Sequence, residues 1–148
     1  MTHESIVVTG DRLRSQARRH WPFLVVLGLG LALRVVAEIA YRPALLYIDS
    51  YRYLDLVRTT NPAKTQTLGY VFFLWPIVKL GNLFVVSALQ HVIGLGIAVA
   101  IYALCMRYRV SRWLAAAAAA PVLLDAYQVQ IEHTVMSETL FEALHAPA

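Results

Sequence analysis

A single carboxylate, Asp49, follows the first long apolar stretch of the sequence and begins a segment with helical character. At the mouth of a helix bundle, an aspartate can accept the proton of a substrate hydroxyl, which is general-base chemistry. Aspartate is also preferred at helix N-termini, where its side chain accepts a backbone N–H. From its position alone, capping is the commoner role for Asp49.

A second polar group lies near the end of the chain and contains Glu132, His133 and Glu138. Adjacent residues on a helix point in different directions, and the H-E-x-x-H pattern of a zinc helix is absent. The spacing of His133 and Glu138 is also poor for a shared metal ion. We therefore expect a polar helix end that emerges into water. Gln90 and His91, within a later apolar stretch, are more typical of polar packing contacts than of ligands.

Two charges, Arg34 and Glu38, interrupt the first apolar stretch and lie four residues apart. Residues at this spacing share one face of a helix. The structural interpretation, which we favour, is an ion pair that lowers the cost of burying both charges. The functional interpretation is a polar cavity within the bundle. In both cases the two side chains should face protein or water and not lipid.

Basic side chains follow Asp49 and could bind a phosphate, because guanidinium groups match phosphate geometry. Arg52 and Arg58 are the candidates, and contacts with lipid headgroups would explain them equally well. The only cysteine, Cys105, lies within an apolar run, so the sequence offers neither an intrachain disulfide nor a thiolate metal cluster.

The composition indicates the kind of scaffold that holds these residues. The 148 residues are 59% hydrophobic and only 15% charged, which is typical of a membrane protein. A chain of this length has room for about three or four spans of roughly 20 residues. The net charge of +4 does not predict nucleic-acid binding, because no basic face interleaved with aromatics is visible.

Three apolar segments predict an all-α membrane protein with about three transmembrane helices. Basic residues flank them in a tail over residues 1–20 and in a short loop over 107–112, and such residues favour the cytoplasmic side. We therefore expect a cytoplasmic N-terminus, a retained first span, an outer loop over 42–79 and a second outer segment after 131. The predicted spans are 21–41, 80–106 and 113–131.

The outer loop is predicted to contain two interfacial helices. The first covers Asp49 to about Thr59, and the second covers Leu68 to Leu80, which is apolar but too short to span. Asn61-Pro62 marks the turn between them. In this topology most acidic residues lie on the outer side of the membrane. The cost of burying charge in lipid explains why they avoid the hydrocarbon core, but it does not explain why they concentrate on one side.

The order of these features resembles the N-terminal part of a bacterial GT-C class glycosyltransferase that uses a phospholipid-carried donor. Protein O-mannosyltransferases and lipid A aminoarabinose transferases are related enzymes. The similarity covers roughly residues 20–141, and no single motif in it is highly specific. The residues that carry it are Asp49-Ser50-Tyr51, Leu68-Gly69-Tyr70, Leu89-Gln90-His91 and Glu132-His133 with Met136-Ser137-Glu138-Thr139.

This resemblance implies transfer of a sugar from a polyprenyl-phosphate donor to an extracytoplasmic acceptor at the bacterial inner membrane. Asp49 matches the acidic residue usually assigned as the catalytic base, and Glu138 matches a secondary site that borders the same cavity. Some relatives hold a divalent metal through paired acidic residues in the first loop. Asp49-Ser50 lacks that pairing, so we predict neither a metal nor another cofactor. The implied partners are the lipid bilayer and the donor, and not nucleic acid.

The family has many more spans than three. We therefore expect a fragment that is too short to be active alone and ends in a truncated tail over 142–148. It is either a truncated or frameshifted gene product or part of a split gene whose C-terminal portion is a separate chain. The alternative is a non-enzymatic three-span subunit of a larger complex. A transporter half is less favoured, because neither an inverted repeat nor a broken midplane helix is visible in the sequence.

Overall fold

The computed structural model describes residues 3–59 and 68–145, with side chains from residue 18 onward. The described residues form seven helices, as the all-α prediction requires, and an isolated bridge joins Leu45 to Thr134. The predicted Asn61-Pro62 turn and the last three residues of the 142–148 tail lie outside the described ranges. The helices are α1 (His3–Ala40), α2 (Ile48–Thr59), α3 (Leu68–Lys79), α4 (Phe84–Arg107), α5 (Arg112–Leu124), α6 (Ala126–His133) and α7 (Glu138–His145).

Two of these helices are long and apolar enough to cross a membrane, namely the part of α1 from Arg18 to Ala40 and the whole of α4. They overlap the first two predicted spans, 21–41 and 80–106, and their ends differ from the predicted ones by one to four residues. The third predicted span is not one helix, since α5 and α6 meet at an angle of 50°. The break has a local cause at Asp125, whose backbone is extended and whose carboxylate accepts the N–H of Tyr127 at 2.9 Å. Aspartate at this position therefore caps a new helix and ends the old one.

The chain passes three times between two ends of the bundle. At one end, which we call the basic end, Arg112 donates to the carbonyl of Arg19 at 2.8 Å, and Trp21 packs edge-on against Trp113. At the other end, the N–H of Leu45 donates to the carbonyl of His133 at 3.0 Å. The predicted topology requires this arrangement, with the start of the first span beside the 107–112 loop and the two outer segments together.

Small residues hold the three passes together. Ala98 of α4 and Ala115, Ala116 and Ala119 of α5 are buried with Leu123 in one core. Alanine and glycine let helix backbones approach closely, and membrane bundles favour them for that reason.

The two helices predicted in the outer loop are present as α2 and α3, and they pack against each other. Tyr53 and Val57 of α2 share a second core with Tyr70 and Leu74 of α3, which also contacts the start of α4. This core anchors both helices at the end of the bundle opposite the basic end. We call that end the polar end, because it carries the side chains described next.

Candidate functional site

Arg34 lies inside the bundle, and its guanidinium group donates five hydrogen bonds. Its Nε and Nη2 atoms donate to the two oxygens of Glu132 at 2.7 and 2.6 Å, a bidentate ion pair that is almost completely buried. Nη1 donates to the carbonyls of Gly30 and Leu123, and Nη2 also donates to that of Val122. All five guanidinium hydrogens thus have acceptors. Two of these acceptors are carbonyls in the last turn of α5. Carbonyls at a helix end have no partner within the helix, and Arg34 supplies one.

The predicted ion pair between Arg34 and Glu38 is therefore wrong. Arg34 reaches across to α5 and α6, where several acceptors satisfy it together, as one carboxylate on its own helix could not. Glu38 does not contact Arg34, and its carboxylate faces His91 and His133 instead. The expectation that both charges face protein is confirmed.

The two histidines form a buried pair beside Glu132. His91 Nδ1 lies 2.9 Å from Glu132 Oε2, and His91 Nε2 lies 3.2 Å from His133 Nδ1. On the far side of His133, Nε2 lies 2.9 Å from the carbonyl oxygen of Tyr41. The expectation that Glu132 and His133 mark a helix end in water is wrong, because both are buried. The two residues do point in different directions, and His91 lies between them.

Glu38 completes this group, which we call the Glu–His cluster (Glu38, His91 and His133). Glu38 Oε1 lies 3.8 Å from His91 Nε2 and 3.9 Å from His133 Nδ1. Both carboxylate oxygens are buried, and neither has a hydrogen-bond partner within the described part of the chain. One atom from each of the three side chains falls within 4.8 Å of the others. Sequence reasoning missed this cluster because each member comes from a different helix.

The Glu132 carboxylate packs against the backbone of α4 at Gly94. A Cβ atom at position 94 would overlap Glu132 Oε1 and the carboxyl carbon. The absence of a side chain at Gly94 therefore lets Glu132 approach both Arg34 and His91.

A second polar network begins at Gln90, next to the cluster. Tyr70 donates its hydroxyl to Gln90 Oε1 at 3.1 Å, and Gln90 Nε2 donates to the carbonyl of Thr134 at 3.0 Å. Burial raises the pKa of the Tyr70 hydroxyl far above its usual range, and the nearby Tyr53 and Glu138 raise it further. Tyr70 therefore stays protonated and remains a donor. The interpretation of Gln90 as a polar packing contact is confirmed.

Asp49 lies in the first turn of α2, and its side chain is 40% exposed. Its carboxylate accepts a hydrogen bond from Arg52 at 3.2 Å. At the start of this helix, the backbone N–H of Tyr47 donates to the hydroxyl of Ser50 at 2.9 Å. In a capping box, the third residue of the helix accepts from the N-cap N–H in this way, so Ser50 has that role here. This leaves the Asp49 carboxylate at the surface. Arg58 is exposed in the last turn of the same helix.

Glu138 begins α7 and lies between two cavities of the polar end. One, of about 350 Å³, is also lined by Tyr47 and Thr134, and the other, of about 550 Å³, by Tyr70 and Phe141. Glu138 Oε2 is buried and has no hydrogen-bond partner in residues 3–59 or 68–145.

A side-chain contact brings α2 and the start of α7 together. Tyr53 of α2 donates its hydroxyl to Ser137, the residue before Glu138, at 3.0 Å. The predicted site residues Asp49, Arg52 and Glu138 thus lie at the same end of the bundle. Asp49 and Arg52 contact each other, whereas no hydrogen bond joins Asp49 to Glu138 among the described residues.

Neither a protein-family model, nor a curated protein, nor a solved structure matches this chain.

Proposed function

We propose that the chain is a multi-pass protein of the bacterial inner membrane with a cytoplasmic N-terminus. Large apolar side chains such as Val36 and Ile39 on α1 and Val92 on α4 are well exposed, as expected of helices that face lipid. At the basic end, Trp21 and Trp113 are half-exposed, a typical placement for tryptophan at a membrane interface. Arginines at this end favour the cytoplasmic side.

We further propose that the polar end contributes to a glycosyltransferase site that takes its sugar from a polyprenyl-phosphate donor. The observation that carries this proposal is the position of Glu138. It has a buried oxygen without a partner and faces two cavities, one of which it shares with Tyr47, two residues before Asp49. A cavity lined by a few convergent polar groups is the usual setting of a small-molecule site.

In this proposal, the acceptor hydroxyl attacks the anomeric carbon of the donor sugar. The bond between that carbon and the phosphate oxygen breaks, and the polyprenyl phosphate leaves with the bonding electrons. Asp49 takes the hydroxyl proton, a role that its exposed carboxylate permits. Arg52 and Arg58 bind the phosphate, which requires Arg52 to exchange its contact with Asp49 for one with the donor. Glu138 is the secondary site and orients the acceptor or the sugar through hydrogen bonds.

The test is sugar transfer from a polyprenyl-phosphate donor in membranes that contain the longest natural form of the protein. Asp49→Asn keeps the size of the side chain and removes the base. We expect it to lower the transfer rate by a factor on the order of 10² or more. Asp55→Asn is the matched control, because Asp55 is an exposed aspartate of the same helix. Equal rates for Asp49→Asn and the wild type would remove the assignment of the base.

The non-enzymatic alternative has its own result in this experiment. If neither Asp49→Asn nor Glu138→Gln changes sugar transfer, the proposed site is wrong, and the non-enzymatic three-span subunit becomes the favoured interpretation.

A further inference from the structure

We propose that Glu38, His91 and His133 bind one divalent transition-metal ion, such as Zn²⁺. The site lies among α1, α4 and α6, apart from Asp49 and the cavities of Glu138. It does not depend on the proposed sugar transfer.

The outer nitrogens of the two imidazoles determine where the ring hydrogens lie. His91 Nδ1 faces a carboxylate oxygen of Glu132, and His133 Nε2 faces the carbonyl oxygen of Tyr41. Both oxygens act as acceptors, so each of these nitrogens carries a hydrogen. In the neutral rings, the remaining nitrogens, His91 Nε2 and His133 Nδ1, then have free lone pairs.

These two lone-pair nitrogens face each other at 3.2 Å. Two acceptors at this distance repel unless a cation or a proton lies between them. Ligands about 2.0–2.1 Å from a tetrahedral zinc ion are about 3.3 Å apart, so the nitrogen separation matches one edge of such a site. Glu38 Oε1, at 3.8 and 3.9 Å from the two nitrogens, needs to move by about half an ångström to complete a face of the tetrahedron.

The charges of the surrounding groups supply the second argument. Arg34 and Glu132 neutralise each other in their bidentate pair. Glu38 remains, with both oxygens buried and without a hydrogen-bond partner among the described residues. A buried charge without compensation is costly. A divalent cation at the cluster would provide the missing positive charge.

The groups behind the two histidines supply the third argument. Histidines that bind metals almost always donate their other ring N–H to a carboxylate or a carbonyl, which fixes the ring and makes the ligand nitrogen more basic. His91 has a carboxylate and His133 a carbonyl in this position. Glu132 is in turn held by Arg34 and accommodated by Gly94. The ligands are therefore oriented before a metal arrives.

The donor set indicates the class of metal. Imidazole nitrogen suits zinc, iron, copper and nickel, whereas magnesium and calcium prefer oxygen ligands. Three protein ligands leave at least one coordination position for water. A cavity of about 400 Å³ is lined by Ala37, Tyr41 and His133 among others, so it reaches one of the three ligand residues.

The direct test is metal binding by the full chain purified in mild detergent and stripped with a chelator. After equilibration with Zn²⁺ or Co²⁺ and removal of the free ion, we expect about one bound ion per chain by elemental analysis. The cobalt form should show visible absorption bands of a site with nitrogen and oxygen ligands. Mg²⁺ should not be retained. A folded wild-type chain that retains neither Zn²⁺ nor Co²⁺ would overturn the proposal.

Glu38→Gln is the most informative variant, because it keeps the shape of the side chain and removes an unpartnered buried charge. Without metal, it should be as stable as the wild type or more so. With Zn²⁺, only the wild type should gain in melting temperature, since a ligand that binds the native state stabilises it. We expect Glu38→Gln and His91→Ala to bind Zn²⁺ at least tenfold more weakly.

Two histidines outside the cluster provide matched controls. His145 is exposed on α7, and His20 contacts Tyr102 at the basic end. His145→Ala and His20→Ala should leave metal content and affinity unchanged. Zinc binding that persists in His91→Ala and Glu38→Gln but is lost in His145→Ala would place the ion elsewhere and overturn the proposal.

Discussion

Arg34 and Glu132 are separated by 98 residues and form a bidentate ion pair, with Nη2 to Oε1 at 2.6 Å and Nε to Oε2 at 2.7 Å. The pair joins the first pass of the chain to the third. It also orients His91, which contacts the same Glu132 oxygen that accepts from Arg34 Nε. The position of the Glu–His cluster thus depends on this contact.

Removing one partner of the pair should be strongly destabilising. Arg34→Met fills a similar volume but leaves the Glu132 carboxylate buried without compensation, at a cost of about 3–5 kcal/mol in the free energy of unfolding. The measurement is a denaturation curve of the purified chain in detergent micelles, followed by the helical circular dichroism signal.

Arg52→Met is the control for this experiment. Arg52 and Asp49 also form an ion pair, but both side chains are substantially exposed. Pairs of this kind contribute about 0–1 kcal/mol. Similar losses in the two variants would argue against a buried pair between Arg34 and Glu132.

Adding a methyl group at position 94 should lower the stability of the folded chain. In Gly94→Ala the new Cβ atom overlaps the Glu132 carboxylate, so either the carboxylate or α4 has to move. We expect the free energy of unfolding to fall by about 1–3 kcal/mol, the usual cost of overpacking. Gly96→Ala is the matched control on the same helix, since a Cβ at that position meets nothing within 4 Å. Because alanine favours helix over glycine, Gly96→Ala should be neutral or stabilising, and a reversed order of the two variants would contradict the packing at Glu132.

Tyr70→Phe should destabilise the polar end. The substitution leaves the buried Oε1 of Gln90 without its donor, which costs about 1–3 kcal/mol. Tyr108→Phe, at a well-exposed tyrosine, should change the stability little. The measurement is the same denaturation curve.

The difference between the wild type and Tyr70→Phe should depend on pH in one direction. Burial raises the pKa of Tyr70 in the folded chain above the ordinary value of 10.0, so above that pH the unfolded chain loses a proton that the folded chain keeps. The stability that Tyr70 contributes is therefore fully present below pH 10 and declines as the pH rises further. An advantage of the wild type over Tyr70→Phe that grows above pH 10 would contradict the burial of this hydroxyl.

Much of the architecture could be predicted from local signals in the sequence. The length of the apolar segments predicts α4 and the part of α1 from Arg18 to Ala40, and the length and composition of the outer loop predict α2 and α3. The break between α5 and α6 was not predicted, because it depends on the extended backbone of Asp125, which makes this residue a helix cap. Periodicity does not reveal such a change of conformation within an apolar run.

The cluster of buried polar residues could not be predicted for a different reason. Arg34 and Glu38 have an attractive local interpretation as an i, i+4 pair, but tertiary contacts give Arg34 more acceptors than Glu38 could provide. The packing of three helices determines which carboxylate Arg34 contacts. The spacing of residues along one helix does not contain this information.

The proposed topology, with the basic end in the cytoplasm, is tested by locating the two ends of the bundle relative to the membrane. With Cys105 replaced by alanine, single cysteines are introduced at Thr59, near the polar end, and at Ser111, at the basic end. Intact cells with a permeable outer membrane are then treated with a thiol reagent that does not cross the inner membrane. We predict that the cysteine at position 59 reacts in these cells and that the cysteine at position 111 reacts only after the inner membrane is opened. Reaction of both positions from the same side, or of position 111 alone in intact cells, would show that this topology is wrong.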